Sequence, residues 1–282
     1  MNRAVSRAER RTGIVLCGGR SSRMGRAKAW LPWFGRSMVE HVVDRLLPAV
    51  DEVIVVTSAE LGLPPLSARV VSDRAPELGP LAAIREGLAA AKSDYAFVTS
   101  VDAPHLSAEF VEGLFALGAA AAPVAEDRVQ VLSAIYRCDA WKKADELLVE
   151  NVRRPLALLE ALDYERIEMA ALDHRAGSCA WSGFNTPDEY LSAVRSRDPD
   201  ATAEVELLGR AARKAEVFHY RFPVGTLGEL LTRLPASLSL VEDGRIAKSH
   251  LVSLGGRDLV RDLSVPVGPG ERVSVIDALV GG

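Results

Sequence analysis

Only three cysteines occur in the 282 residues, Cys17, Cys138 and Cys179, and none belongs to a CxxC pair. An odd, scattered set excludes a disulfide scaffold, gives no support for a zinc site, and suits a reducing cytoplasm, which is the expected location. No apolar run approaches the roughly 20 residues that a membrane span requires. No excess of charge of one sign is present either: 34 Lys+Arg against 38 Asp+Glu leave a net charge of −4. That balance gives no general reason for nucleic acid or an anionic membrane as partner, so local basic clusters need local explanations. Five scattered histidines offer no Ser/His/Asp arrangement. The first twelve residues, MNRAVSRAERRT, are Arg-rich but carry Glu9 and lack the apolar stretch of a secretory signal; they read as a flexible arm.

What is present is alternation. Short β-rich runs at GIVLC (13–17), EVIVVTS (52–58), RVVS (69–72), YAFVTSV (95–101) and VQVLSAIY (129–136) are separated by helical patterns with start signals. Ser37 to Glu40 reads as a capping box, Pro80 as a first helical residue and Ser107 as a cap. The pattern predicts an α/β domain over 13–197, Rossmann-like, with a mostly parallel sheet and helices on both faces. Ligands in such folds sit at the carboxyl ends of the strands. SRDPDAT reads as a linker, placed at 198–202. Beyond it the order becomes β, β, α, β, β, which predicts a second, small α+β domain over 203–282.

The first strand ends in Gly18-Gly19, and Arg20, Arg23, Arg26 and Lys28 follow within ten residues. Glycines let backbone amides approach a ligand, and basic side chains on the same loop add charge that a polyphosphate would satisfy. A solvated loop with incidental arginines is the competing reading. The string is neither GK[ST] nor GxGxxG, so kinase and dinucleotide readings lose support.

Three further positions have chemistry at strand or helix ends. Asp73, ahead of Gly79-Pro80-Leu81, could accept from N1–H and the amino group of guanine; ending a strand before a helix start explains it equally well. Asp102 closes YAFVTSVDAP and is placed for Mg²⁺, which binds through one or two carboxylates plus phosphate oxygens. His105 nearby reads as a loop residue. In FNTPDEY, Thr186 to Glu189 is a complete capping box with Pro187 at its first helical position, and Asn185 lies just before it.

Gly18-Gly19, Arg23-Met24-Gly25 and Lys28 together form GG-x-x-x-R-M-G-x-x-K, which resembles the signature of sugar-nucleotide and cofactor nucleotidyltransferases. With Leu16 in front, it most resembles the molybdenum cofactor guanylyltransferase family. The resemblance covers about residues 12–197. It implies GTP as donor, a molybdopterin acceptor and Mg²⁺, with GMP transferred and pyrophosphate released. It implies that backbone from Leu16 through Cys17 and Gly18 to Gly19 contacts the nucleotide. It also implies that Lys28 holds the phosphates, that Arg23 neutralises the leaving pyrophosphate, and that Asp102 holds the metal. Asp73 with Gly79, Pro80 and Leu81 would hold the guanine, and Asn185 would serve the acceptor. Two departures stand out: Ala82-Ala83 where the family commonly shows Ala-Gly, and Gly183 where the family has the first Asn of Asn-x-Asn-Thr-Pro.

An attacking phosphate monoester has a second pKa of about 6 and is largely dianionic near neutrality, so no side-chain base is required. Catalysis then reduces to positioning, charge neutralisation and Mg²⁺. From about Ala203 the chain resembles the small, ubiquitin-like β-grasp subunit of molybdopterin synthase, a sulfur carrier, and it ends in Gly281-Gly282. That resemblance implies an adenylylated, thiocarboxylated tail and a partner that is either an activating adenylyltransferase or the large synthase subunit. VIDAL stands where that family often shows Pro-Pro. Two alternatives remain at this point: transfer from CTP on the same fold, and a non-catalytic scaffold with a functional carrier domain.

Overall fold

The computed structural model describes residues 9–18, 23–117, 120–125, 127–168 and 180–277. The chain divides into two compact units, Met1–Arg20 with Met38–Gly183, and Ser21–Ser37 with Phe184–Gly282.

The first unit is built on β1 (Arg11–Cys17), all seven residues of which are buried. Along the chain follow α1 (Met38–Leu46), β2 (Glu52–Thr57), β3 (Arg69–Ser72), α2 (Pro80–Ala90), β4 (Tyr95–Ser100) and α3 (Ala108–Leu117). Then come β5 (Ala121–Ala125), β6 (Arg128–Val129), β7 (Ser133–Arg137), α4 (Trp141–Val149), α5 (Pro155–Ala161) and β8 (Glu165–Glu168). The sheet order is β8-β5-β7-β4-β1-β2-β3, with β6 paired to β5. Strands β4, β1, β2 and β3 run parallel, as does β8 beside β5; β7 is antiparallel to both β4 and β5.

Helices cover both faces because successive β1 residues point in opposite directions. Gly13 faces α1, where an added β-carbon would stand 3.0 Å from Leu46. Ile14 faces α2, where a β-carbon on Gly87 would stand only 2.6 Å from the Ile14 methyl. Ile14, Leu16, Ile54, Val56, Ile84, Leu88 and Val98 form the core on the α2 side. Pro80 opens α2 as expected, and Ser107 caps α3 by accepting from the Phe110 amide at 3.2 Å.

The second unit contains α6 (Pro187–Arg197), β9 (Thr202–Leu207), α7 (Arg210–Lys214), β10 (His219–Pro223), α8 (Leu227–Thr232), β11 (His250–Leu254), β12 (Asp258–Val260) and β13 (Arg272–Asp277). Its sheet runs β10-β9-β13-β11-β12, with β9 and β13 parallel at the centre and hairpins on each side. Helix α8, closed by a Thr226–Glu229 capping box, packs Leu227, Leu230 and Leu231 against Ala203, Val205, Val252, Val273 and Val275. This part of the unit is a small α+β arrangement, a sheet with helix α8 packed on it.

The same unit holds residues 23–37. There Pro32–Trp33 and Arg36–Ser37 form a hairpin whose two-residue turn, Phe34 and Gly35, has φ of 47° and 87°. Both values are positive, as a type I′ turn requires. The stretch 198–202 is a turn inside this unit: Asp198 ends α6, and the Ala201 carbonyl accepts from the Val224 amide at 3.0 Å.

Candidate active site

In the first unit, the parallel strands bring their carboxyl ends to one edge, and Gly18, Asp73 and Asp102 follow three of those ends. At the end of β1, the Leu16 carbonyl accepts from the Val101 amide at 3.0 Å, and the Cys17 carbonyl accepts from the Thr57 hydroxyl at 3.0 Å. Those carbonyls are committed to the sheet. Gly18 is exposed, its amide has no partner among the described residues, and nothing lies within 4 Å of its missing β-carbon. It is the first residue of the loop whose backbone can meet a ligand. Gly19 lies outside the described residues. Burial pushes the Cys17 thiol up to about 12, so this cysteine is packing and not a nucleophile.

On the neighbouring strand β4, Ser100 donates its hydroxyl to Asp102 Oδ1, fixing the carboxylate. Asp102 is half-buried. The loop that carries it is tied to α1 through buried His41, whose Nε2 lies 2.9 Å from the Pro104 carbonyl. A carbonyl only accepts, so Nε2 carries the proton in this contact. Gly183 comes against Asp102 from the other direction: a β-carbon there would stand 3.1 Å from Oδ1. Among the described residues there is no cluster of three or more His, Cys, Asp or Glu able to hold a metal. One hydrogen-bonded carboxylate matches what Mg²⁺ takes from a protein when phosphate oxygens supply the rest.

Asp73 follows β3. Its amide donates to the Thr57 carbonyl at 2.7 Å, and its Oδ1 accepts from the Ala75 amide at 3.1 Å, closing a local turn. The residue is 8% exposed, and burial raises its carboxyl above the ordinary value, opposed in part by the Ala75 hydrogen bond. A second oxygen, Oδ2, has no hydrogen-bond partner among the described residues. Gly79 caps α2 with φ +83°, a conformation that favours glycine, and open space surrounds its β-carbon position. Leu81 and Ala82 behind it are buried in the core, while Pro80 is exposed at the helix start.

In the second unit, Lys28 and Asn185 meet. Lys28 Nζ donates to the Phe184 carbonyl at 2.6 Å and to Asn185 Oδ1 at 3.0 Å, and lies 5.6 Å from the Phe184 ring centroid. Asn185 is itself fixed through its backbone amide, which donates to Glu189 Oε2 at 2.5 Å. Glu189 therefore serves two ends, because it also completes the capping box with Thr186. Arg23 is exposed. Arg26, grouped in the sequence with the phosphate-loop cations, is committed elsewhere: it forms a 2.5 Å ion pair with Glu271. Thr57, Ser100, His41 and Glu271 carry no motif and were not singled out. Gly281 and Gly282, the expected carrier tail, lie outside the described residues.

A family model described as the MobA-like NTP transferase domain matches residues 13–167. The chain is similar to a Mycobacterium ulcerans protein named "Probable molybdenum cofactor guanylyltransferase", at 37% identity over 192 residues, covering 65% of this chain and 92% of the relative. A Mycobacterium tuberculosis protein of the same name is 40% identical over 167 residues, covering 56% and 83%. Among solved structures, molybdopterin-guanine dinucleotide biosynthesis protein A from Archaeoglobus fulgidus superposes with a TM-score of 0.56 at 22% identity, covering 67% of this chain and 99% of that one. A nucleotidyl transferase from Methanothermobacter gives 0.54 at 21% identity, covering 65% and 95%. These likenesses between structures concern the fold.

Proposed function

The chain belongs to the MobA-like NTP transferase family and is a nucleotidyltransferase, and from that premise we propose that it transfers GMP from GTP to the terminal phosphate of a molybdopterin acceptor, releasing pyrophosphate. The observation that supports this reading most is the carboxyl edge of the first unit. There an open Gly18 backbone, the oriented Asp102 carboxylate and the buried Asp73 end parallel strands of one sheet. Asp73 and the Gly79 backbone read guanine, whose N1–H and amino group suit an ionised acceptor. Adenine, with an acceptor at N1, would leave that carboxylate unpaired at about 1–3 kcal/mol. Lys28 and Arg23 carry the phosphate charge, and Asn185 holds Lys28 while contributing to acceptor binding. Asp102, oriented by Ser100, would hold Mg²⁺, which supplies charge neutralisation on the phosphates when bound. The attacking phosphate is already ionised, so no residue acts as base.

The test is incubation with Mg²⁺, molybdopterin and each nucleoside triphosphate in turn, with pyrophosphate measured. Release with GTP is expected; release with CTP alone, or none with any nucleotide, overturns the reading.

The β-grasp-like sheet order favours a second role for the C-terminal domain as a sulfur carrier, with Gly281-Gly282 as the candidate tail. Two residues without side chains make a thin tail able to thread into an activating enzyme. Deleting Gly281-Gly282 is expected to leave guanylyl transfer intact and to eliminate adenylylation; equal adenylylation of the shortened chain removes this role.

A further inference from the structure

We propose that Glu271, in the turn before β13, is a positioning residue for the Lys28 loop, so that the C-terminal sheet domain is a working part of nucleotide binding. This rests on the reading of Lys28 as a phosphate ligand.

The loop is held on both sides of Lys28 by the C-terminal part of the chain. Arg26, two residues earlier, sends Nη1 to Glu271 Oε1 at 2.5 Å, with the two side chains only 8% and 4% exposed. The other carboxylate oxygen accepts from the Gly268 amide at 3.0 Å. The backbone of Glu271 is equally fixed: its amide donates to the Gly268 carbonyl at 3.2 Å, and its carbonyl accepts from the Glu204 amide of β9 at 2.8 Å. Gly25 has φ +65° and comes so near Val265 that a β-carbon would stand 2.6 Å from a methyl. Past Lys28, the Arg257 guanidinium stacks 4.1 Å above the Trp30 ring.

Apolar side chains could fill the Arg26–Glu271 volume with equal or greater stability, since desolvation offsets most of the attraction of a buried pair. What a charged fork adds is a single register for the segment that carries it. The Arg26 Nε is buried without a hydrogen-bond partner among the described residues, a further sign that the pair is not optimised for stability. The consequence is that the geometry of Lys28 depends on Glu271 of the C-terminal domain, 245 positions from its partner Arg26.

The experiment measures GTP affinity by titration calorimetry in Mg²⁺ buffer on the full chain. Glu271→Gln and the paired exchange Arg26→Met with Glu271→Met are each made in the wild-type and Lys28→Ala backgrounds. Both changes are expected to weaken GTP binding by about fivefold or more, and by less than about twofold once Lys28 is gone, because residues acting through one another are not additive. A general loss of packing would weaken binding equally in both backgrounds, and that result overturns the proposal. So does wild-type affinity in the folded variants. Should Glu271→Gln fail to fold, the paired exchange decides, since it leaves no buried charge unmatched. If Lys28→Ala weakens GTP and the Glu271 variants do not, the positioning role alone falls. If Lys28→Ala binds GTP normally, the phosphate role of Lys28 falls and the positioning role with it.

Discussion

Gly183 presses its backbone against the carboxylate of Asp102: a β-carbon built on it would stand 3.1 Å from Oδ1, 3.2 Å from the backbone oxygen and 3.3 Å from Cγ. The resemblance to the guanylyltransferases leads to an Asn at this position, and the contact explains what its replacement does. A side chain here crowds the group expected to hold Mg²⁺, whereas glycine lets the chain pass within contact distance. Gly183→Ala is expected to lower kcat by about tenfold with little change in melting temperature, because small displacements of a reacting group are costly in rate. Steady-state pyrophosphate release read beside thermal unfolding checks this. An unchanged kcat shows that the carboxylate tolerates the intrusion.

Lys28 and Asn185 form a second pair, and they should behave as a unit. Lys28→Ala is expected to reduce transfer by about 10²–10³, the scale for removing a preorganised charge from a transition state. Asn185→Ala removes one acceptor of the ammonium but leaves the Phe184 carbonyl. Its expected effect is smaller, about tenfold, and largely absent in the Lys28→Ala background. Equal and independent losses from the two variants would separate Asn185 from the lysine and assign it to the acceptor alone.

The sequence was most informative where local chemistry decides the outcome. Pro80, Ser107 and Thr186–Glu189 start helices in the structure because capping depends on a few adjacent residues. The same holds for the strand ends at Cys17 and Ser72, fixed by apolar runs meeting glycine or aspartate. Three strands were missed or displaced. Ala121–Ala125 is too small and Pro-containing to read as β, Glu165–Glu168 is charged at three of four positions, and Ser133–Arg137 runs antiparallel, a direction no local pattern encodes. The supports of the site were out of reach for a related reason. His41 meets Pro104 across 63 positions and Arg26 meets Glu271 across 245, and neither pairing has a spacing signature.

Asp73 should give two pH dependences of opposite sign. Its native carboxyl titrates above the ordinary value of 3.8 because burial disfavours the charge. Between the unfolded and native values, the folded state binds more protons than the unfolded state. The stability contributed by Asp73 is therefore complete below the unfolded value and lost as pH rises through the native one. Asp73→Asn should accordingly melt slightly higher than wild type near pH 7, with the difference vanishing in acid. In the proposed guanine-reading role Asp73 must be ionised, so GTP affinity should fall as pH is lowered through that same native value. In Asp73→Asn, the preference for GTP over ATP should drop by about 5- to 150-fold, the equivalent of the 1–3 kcal/mol assigned to the unpaired carboxylate. Thermal unfolding and nucleotide titration across the acid range would register both slopes; a GTP preference that survives in the variant removes Asp73 from base reading.

Cys17 sits one residue before the exposed Gly18, but its thiol is closed off from solvent. Its side chain is 2% exposed, and burial raises the thiol to about 12, so almost none is thiolate at pH 8. The Thr57 hydroxyl holds its carbonyl, leaving the residue anchored in the sheet. Cys138 is likewise buried and likewise raised to about 12. Iodoacetamide at pH 8 is therefore expected to leave both residues unmodified in the native protein and to alkylate both after denaturation, as followed by peptide mass spectrometry. Guanylyl transfer should survive a treatment that labels neither. Rapid native labelling of Cys17, suppressed by GTP, would show that the end of β1 opens to solvent and that the sulfur lies within the nucleotide site.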